Sequence, residues 1–232
     1  ACQRAENEYV GVRCGILDQF ASIFAHDGAA SLIDCRTLRV EPVSIGGRDA
    51  VFVVCDTGKP RGLTRSKYNL RRQQCEAAAE AMGVCALRDA DLSGLERHRL
   101  DMDEEAYRRA RHVISENERV LQGVAALKAG DFAQLGRLLV RTHESLRDDY
   151  EVSCLELDEM VEAACSTAGC LGARLIGAGF GGCVLAVVRI AEAQAFCETV
   201  EEAYTARTGL MGRTFITSPA RGATLLTDVL QS

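Results

Sequence analysis

Two stretches of this chain carry residue types that could do chemistry. The run Val10-Gly-Val-Arg-Cys-Gly-Ile-Leu-Asp-Gln-Phe20 sets one carboxylate, Asp18, three residues after Gly15. Far downstream, four glycines fall within the six residues Gly177, Ala178, Gly179, Phe180, Gly181 and Gly182. Glycines allow positive φ and close approach of backbone amides to a ligand, and successive amides can form a nest for an anion. A carboxylate near a loop that cradles phosphate is what a small-molecule kinase needs. Gly177, Gly179 and Gly182 also stand in G-x-G-x-x-G register. That register binds a dinucleotide only where a helix follows and meets the pyrophosphate. Here Cys183-Val-Leu-Ala-Val-Val188 follows, which reads as a strand, so a strand–glycine loop–strand unit is expected. A plain hairpin requires fewer glycines, which favours a ligand-binding loop.

Asp18 says less by itself. An aspartate at a helix start is more often a cap or a solvated charge than a catalyst. The apolar Ile16-Leu17 beside it argues for a partly buried carboxylate. Tyr68, within Ser66-Lys-Tyr-Asn-Leu-Arg-Arg-Gln-Gln-Cys-Glu76, reads as an aromatic on the inner face of a helix. Arg71 and Arg72 read as surface charges near the edges of that face. The four histidines, His26, His98, His112 and His143, share no spacing and are given no role.

The elements that must position these residues follow from periodicity and punctuation. A short helix is expected over 16–26, then strands over 29–34 and 38–43, and a buried β-branched strand over 51–55. Helices follow over 66–82 and 104–128, the second with an apolar stripe of Val113, Val120, Val124 and Leu127. Between them, 87–100 reads as loop with short helical pieces. Asp131 caps the next helix, with Gln134 as its capping-box partner and Leu135, Leu138, Leu139, Thr142 and Leu146 on its inner face. A helix over 155–168, strands over 173–176 and 184–188, a helix over 191–208 and a strand over 212–217 complete the chain. Gly83, Gly169 and Gly209 read as helix stops. This order gives an α+β fold, with helices over an antiparallel or mixed sheet.

Composition narrows the class. The 232 residues suit one large domain or one and a half smaller ones. A formal net charge of −6 argues against a general nucleic-acid binder. No apolar run approaches the ~20 residues of a membrane span. The eleven cysteines lack C-x-x-C or zinc spacing and read as reduced, mostly buried thiols of a cytosolic protein. The opening Ala1-Cys-Gln-Arg-Ala-Glu-Asn has neither an initiator Met nor a signal peptide, which suggests a chain beginning partway through a longer one.

Five motifs in order resemble the galactokinase branch of the GHMP kinase superfamily. They are Cys14-Gly-Ile-Leu-Asp-Gln-Phe20, Leu32-Ile-Asp-Cys-Arg36, the Tyr68-bearing motif over 66–76, Arg147-Asp-Asp-Tyr150 and the glycine loop of Gly177–Cys183. The resemblance runs over nearly the whole chain, and the tyrosine motif is its most specific part. It implies a GHMP two-domain architecture, with 1–48 a remnant of the N-terminal domain and 49–232 the C-terminal α+β domain. It further implies transfer of the ATP γ-phosphoryl group to the C1 hydroxyl of galactose. On this resemblance Asp18 faces that hydroxyl as base or orienting group, and Gly15 and Tyr68 contact the sugar. Gly177–Gly182 form the third conserved motif, near the sugar and the transferring phosphate. ATP and Mg²⁺ are the implied cofactors, with no metal ligand assigned in this chain. The family's N-terminal Arg/Glu/His/Asp signature and its Gly-Leu-Ser-Ser-Ser phosphate loop are not found in the sequence. Ile176 and the stretch Val54–Lys59 depart from the family pattern. Two alternatives stand beside this: a sister sugar-1-kinase acting on N-acetylgalactosamine, arabinose or galacturonate, and a non-catalytic sugar sensor. The implied partners are a sugar and ATP, with neither nucleic acid nor membrane, in the cytoplasm. Apolar surface exposed by the shortened chain is expected to drive self-association.

Overall fold

A computed structural model describes residues 1–11, 13–60 and 64–224; Val12, within the Asp18-bearing stretch, lies outside the described residues. The chain opens with a short helix α1 (Cys2–Arg4) that runs into one π-helical turn (Ala5–Val10), an element the sequence reading does not contain. Helix α2 (Leu17–Phe24) follows, and then strands β1 (Ala29–Asp34) and β2 (Arg39–Ser44) pair as an antiparallel hairpin. Strand β3 (Ala50–Asp56) belongs to a separate sheet. After it come α3 (Thr64–Ala81), the short α4 (Leu92–Arg97), and the long α5 (Glu104–Ala129). Helices α6 (Phe132–Asp148) and α7 (Leu155–Ser166) lead to strands β4 (Cys170–Leu175) and β5 (Cys183–Arg189), helix α8 (Ala193–Thr208) and strand β6 (Arg213–Thr217).

The second sheet has the order β4-β5-β3-β6, and every neighbouring pair is antiparallel. Side chains alternate across such a sheet. Val184, Ala186 and Val188 of β5 face one way, with Val53 and Cys55 of β3, and pack against Leu157, Met160 and Val161 of α7 and Phe196 and Val200 of α8. Val187 faces the other way, onto Leu135 of α6, Ala126 of α5 and Phe132. A third apolar cluster joins α3, α4 and α5 through Ala78, Met82, Leu95, Tyr107, Ala110 and Ile114.

Close backbone contact sets α6 against β4. A Cβ added at Gly136 would lie 1.9 Å from the Leu171 carbonyl oxygen, and one at Gly172 would lie 2.0 Å from that of Gly136. Only glycines admit this crossing. Gly83 and Gly209 stop their helices at positive φ as expected, whereas α7 ends earlier than expected, at an extended Thr167, and Gly169 turns the chain into β4. Asp131 caps α6 by accepting from the Gln134 amide at 2.8 Å, but the Gln134 side chain accepts from Arg137 instead of closing the capping box.

Two expectations are corrected. The stripe on α5 is misplaced, because Ala106, Tyr107, Ala110, His112 and Ile114 are buried while Val120 is 45% exposed. Val113 and Val120 instead line a groove of about 910 Å³ between α5, α3 and the β1–β2 hairpin, and a single-face helical pattern cannot represent a helix that meets neighbours on several sides. The cysteines are free, as expected, but only Cys55 and Cys197 are buried. Burial pushes the Cys55 thiol up to about 12.

Candidate active site

Helix α2 places Asp18 in its first turn, where the helix dipole favours an anion. The carboxylate is exposed, which corrects the expectation of partial burial. Helix α2 buries none of its residues, so Ile16 and Leu17 shield nothing. Nor does Asp18 cap the helix, whose N-cap is Ile16 without a side-chain hydrogen bond. Asp18 makes no hydrogen bond or ion pair with any described residue, leaving both oxygens open to a ligand.

The segment before α2 is laid along α3. The Arg13 amide donates to Asn69 Oδ1 at 3.2 Å, Arg13 pairs with Glu76 at 3.1 Å, and Arg72 donates to the Arg13 carbonyl at 3.3 Å. Gly15, two residues on, is exposed, and a Cβ there would meet nothing within 4 Å. Tyr68 precedes Asn69 and is half-buried, outside the apolar clusters, rather than a core aromatic. On its other side the Lys67 ammonium lies 5.1 Å from the centroid of the Phe180 ring, a cation–π contact with the glycine loop. Asn69 thus meets Arg13 and Lys67 meets Phe180 of the glycine loop, on either side of Tyr68 at one end of α3.

The glycine loop connects β4 and β5, with Gly179 and Gly181 buried and Gly177 exposed. Gly177, Gly179, Phe180, Gly181 and Gly182 all have positive φ, at 77, 77, 59, 126 and 92°. Two segments fix it. The Phe180 amide donates to the Val152 carbonyl at 2.7 Å, and the Gly182 amide to the Lys59 carbonyl at 3.1 Å. The Gly182 carbonyl accepts from both the Thr57 amide at 3.1 Å and the Thr57 hydroxyl at 2.6 Å. A Cβ at Gly179 would sit 2.1 Å from the Val152 oxygen, so a side chain there is excluded. The amides of Gly177, Ala178, Gly179 and Gly181 donate to no acceptor among the described residues. Polar backbone groups left open in a strained loop suit an anionic ligand.

Sequence reasoning missed Thr57, Lys59 and Val152 as supports of this loop. Thr57 follows strand β3 in an Asp-Thr-Gly turn, where the Gly58 amide donates to Asp56 at 3.0 Å, and Tyr204 donates to the Thr57 carbonyl at 2.8 Å. The turn signature was readable, but its partner 125 positions away was not. Lys59 is held by Glu156 at 2.7 Å, and that hydrogen bond lowers the Glu156 carboxyl below its ordinary range. Arg71 is not a free surface charge, since it donates to the carbonyls of Tyr150 and Glu151 at 2.6 and 3.0 Å. Among the described residues no three His, Cys, Asp or Glu side chains gather where a metal ion could be held. The unpartnered amides of the glycine loop suit a phosphate.

Known proteins resemble this chain in sequence and fold. Residues 124–206 match the family described as GHMP kinases C terminal. The galactokinase of Roseiflexus sp. (strain RS-1) is 45% identical over 231 residues, covering 97% of this chain and 59% of that protein. The Homo sapiens galactokinase is 41% identical over 225 residues, covering 97% of this chain and 56% of that protein. The structure of Lactococcus lactis galactokinase complexed with galactose superposes with a TM-score of 0.91 at 39% identity, over 97% of this chain and 59% of that one. The fold alone is shared with Leishmania major mevalonate kinase, at a TM-score of 0.51 and 18% identity. The chain spans a little over half the length of the curated relatives it matches. Residues 124–206 thus match a GHMP kinase C-terminal domain, and the chain is similar over most of its length to part of the galactokinases.

Proposed function

We propose that this chain carries the sugar side of a galactokinase site, in which the ATP γ-phosphoryl group passes to the C1 hydroxyl of galactose. Two observations support this most: Asp18 has no partner among the described residues, and the amides of Gly177, Ala178, Gly179 and Gly181 donate to no acceptor among them. Asp18 accepts the proton of the C1 hydroxyl, or orients that hydroxyl through a hydrogen bond, as phosphate is approached. Tyr68 and the open edge at Gly15 border the sugar. The amides of Gly177, Ala178, Gly179 and Gly181 meet the negative charge spread over the phosphoryl oxygens. ATP with Mg²⁺ supplies the phosphoryl donor and neutralises its charge. By resemblance, gripping the triphosphate falls to a Ser-rich loop that this sequence does not contain, so we propose that the isolated chain binds sugar but turns over only when that loop is supplied. Among the described residues no helix is long and apolar enough to cross a membrane. Eleven free thiols favour a reducing, cytoplasmic setting.

The test is titration calorimetry of the chain with galactose, N-acetylgalactosamine, arabinose and galacturonate. Saturable heat with galactose, weakened in Tyr68→Ala, is the expected result. Heat with another sugar alone would transfer the assignment to a sister sugar-1-kinase. Silence with all four sugars would overturn the sugar-binding reading.

A further inference from the structure

Two of the motifs that mark the family have no part in the chemistry described so far. They are the Arg71 to Cys75 half of the tyrosine-bearing motif and Arg147-Asp-Asp-Tyr150. In the folded chain they are two sides of one contact. The segment from Asp148 to Glu151 leaves α6 in a sharp turn, with Glu151 at φ 52°. Its four successive carbonyls are each taken by an arginine. Arg108 donates to Asp148 at 3.1 Å, Arg109 to Asp149, and Arg71 to both Tyr150 at 2.6 Å and Glu151 at 3.0 Å. The Glu151 carboxylate closes the grip from below, pairing with Arg108 at 2.6 Å and Arg109 at 2.5 Å. Gln74 spaces the two key guanidinium groups, accepting from Arg71 at 3.0 Å and Arg109 at 3.2 Å.

This is an expensive arrangement. The Arg109 side chain is only 1% exposed, and a buried guanidinium persists only when it is paired and fully hydrogen-bonded. A non-glycine residue at positive φ adds strain that the surroundings must hold in place. What the grip positions is the next carbonyl. Val152 accepts from the Phe180 amide at 2.7 Å and stands where a Cβ of Gly179 would fall. Phe180 is itself a bulky residue at φ 59°, in the middle of the glycine loop. The same helix that presents Tyr68 therefore reaches, one turn later, through Arg71 and the 148–152 turn, into that loop.

We propose that Arg71 and Arg109 are positioning residues which, through the carbonyls of Asp149, Tyr150 and Glu151 and through Val152, hold the Gly177–Gly182 loop in its open, anion-accepting form. The proposal rests on the reading of that loop as the phosphate side of the site. Helix α3 then couples the two halves of the site. The side bearing Tyr68 and the side bearing the loop amides move together or not at all.

The experiment is amide hydrogen exchange with nitrogen–proton NMR on the whole chain, comparing the parent with Arg71→Met, Arg71→Lys and Gln74→Leu. The last variant removes the shared acceptor and leaves both arginines, so it serves if Arg71→Met does not fold. The expected result in Arg71→Met is about tenfold faster exchange of the Phe180 amide, with an upfield shift of its proton and no change in β3, β5 or α8. Arg71→Lys, which keeps a cationic donor near the carbonyls, should recover part of both signals. Gln74→Leu should give the same pattern at about threefold. Unchanged exchange of the Phe180 amide in every folded variant would overturn the proposal, as would an equal rise across the whole sheet. A parallel titration of the parent with inorganic phosphate tests the underlying reading separately. Shifts at Gly177, Ala178, Gly179 and Gly181 support it, and an unmoved loop overturns that reading and with it the proposal's functional meaning, whatever the variants do.

Discussion

Asp18 lies open to solvent at the head of α2, free of partners among the described residues. A carboxylate that is to receive or orient a hydroxyl proton gains from having both oxygens unclaimed. Replacing it in a turnover-competent protein should show what it contributes. Asp18→Asn should lower kcat by about 10³-fold with little change in galactose affinity, since general-base groups typically contribute two to four orders of magnitude. An equal loss of binding would make Asp18 a binding group only. His112 offers a second test at this scale. It is buried, stacks on Tyr150 with centroids 4.6 Å apart, and sits 2.9 Å from Ser145 Oγ. Burial pulls its imidazole from 6.5 down to about 4. The unfolded chain binds this proton first, so stability present above pH 6.5 is lost as the pH falls through 4. The loss at that end is about 3 kcal/mol, and His112→Gln should remove most of this slope in urea titrations run from pH 7 to 4. Asp18, Gly15, Tyr68 and the glycine run could be named from the sequence because short motifs carry them. The carbonyls of Val152 and Lys59 could not, because no residue type marks a backbone oxygen that supports a distant loop.

At the scale of elements, glycines were the most legible feature and apolar stripes the least. Gly83 and Gly209 each end a helix at positive φ, a local requirement that a sequence displays directly. The α5 stripe failed because that helix meets α3, α4 and α6 on different faces, so its buried set includes Arg109, Arg119 and His112. Polar residues inside a core are invisible to a hydrophobic period. The Gly136–Gly172 crossing was equally unreadable, because two isolated glycines 36 positions apart give no sign that they touch. It yields a sharp prediction. Gly136→Ala must push α6 off β4 and should cost about 2–3 kcal/mol, well above the tenths expected of a tolerated alanine. A denaturation midpoint within error of the parent would show that the crossing yields easily.

For the whole molecule, the uneven distribution of apolar surface is the leading fact. Helix α2 buries no residue, and Tyr9, Leu17, Ile23 and Phe24 are 92, 61, 54 and 44% exposed. All lie in the first 44 residues, which end in a two-stranded sheet separate from the four-stranded one. Ion pairs between Asp34 and Arg88 at 2.7 Å and between Arg36 and Asp89 at 2.6 Å tie this part to the rest, but neither hides its apolar face. We therefore propose that 1–48 is half of a larger layer and that the chain self-associates through it. Sedimentation should show species well above 25.1 kDa, and Leu17→Glu with Phe24→Glu should return a monomer. A parent chain that is already monomeric with one cooperative unfolding transition would refute this. The central claim concerns chemistry, and its most direct test is galactose-dependent release of ADP from ATP and Mg²⁺. The assay compares the chain alone, the chain extended to the full length of its relatives, and that extended protein carrying Asp18→Ala. Turnover by the extended protein, abolished by Asp18→Ala and absent from the short chain, is the predicted result. No turnover by the extended protein, or undiminished turnover without Asp18, would contradict the account.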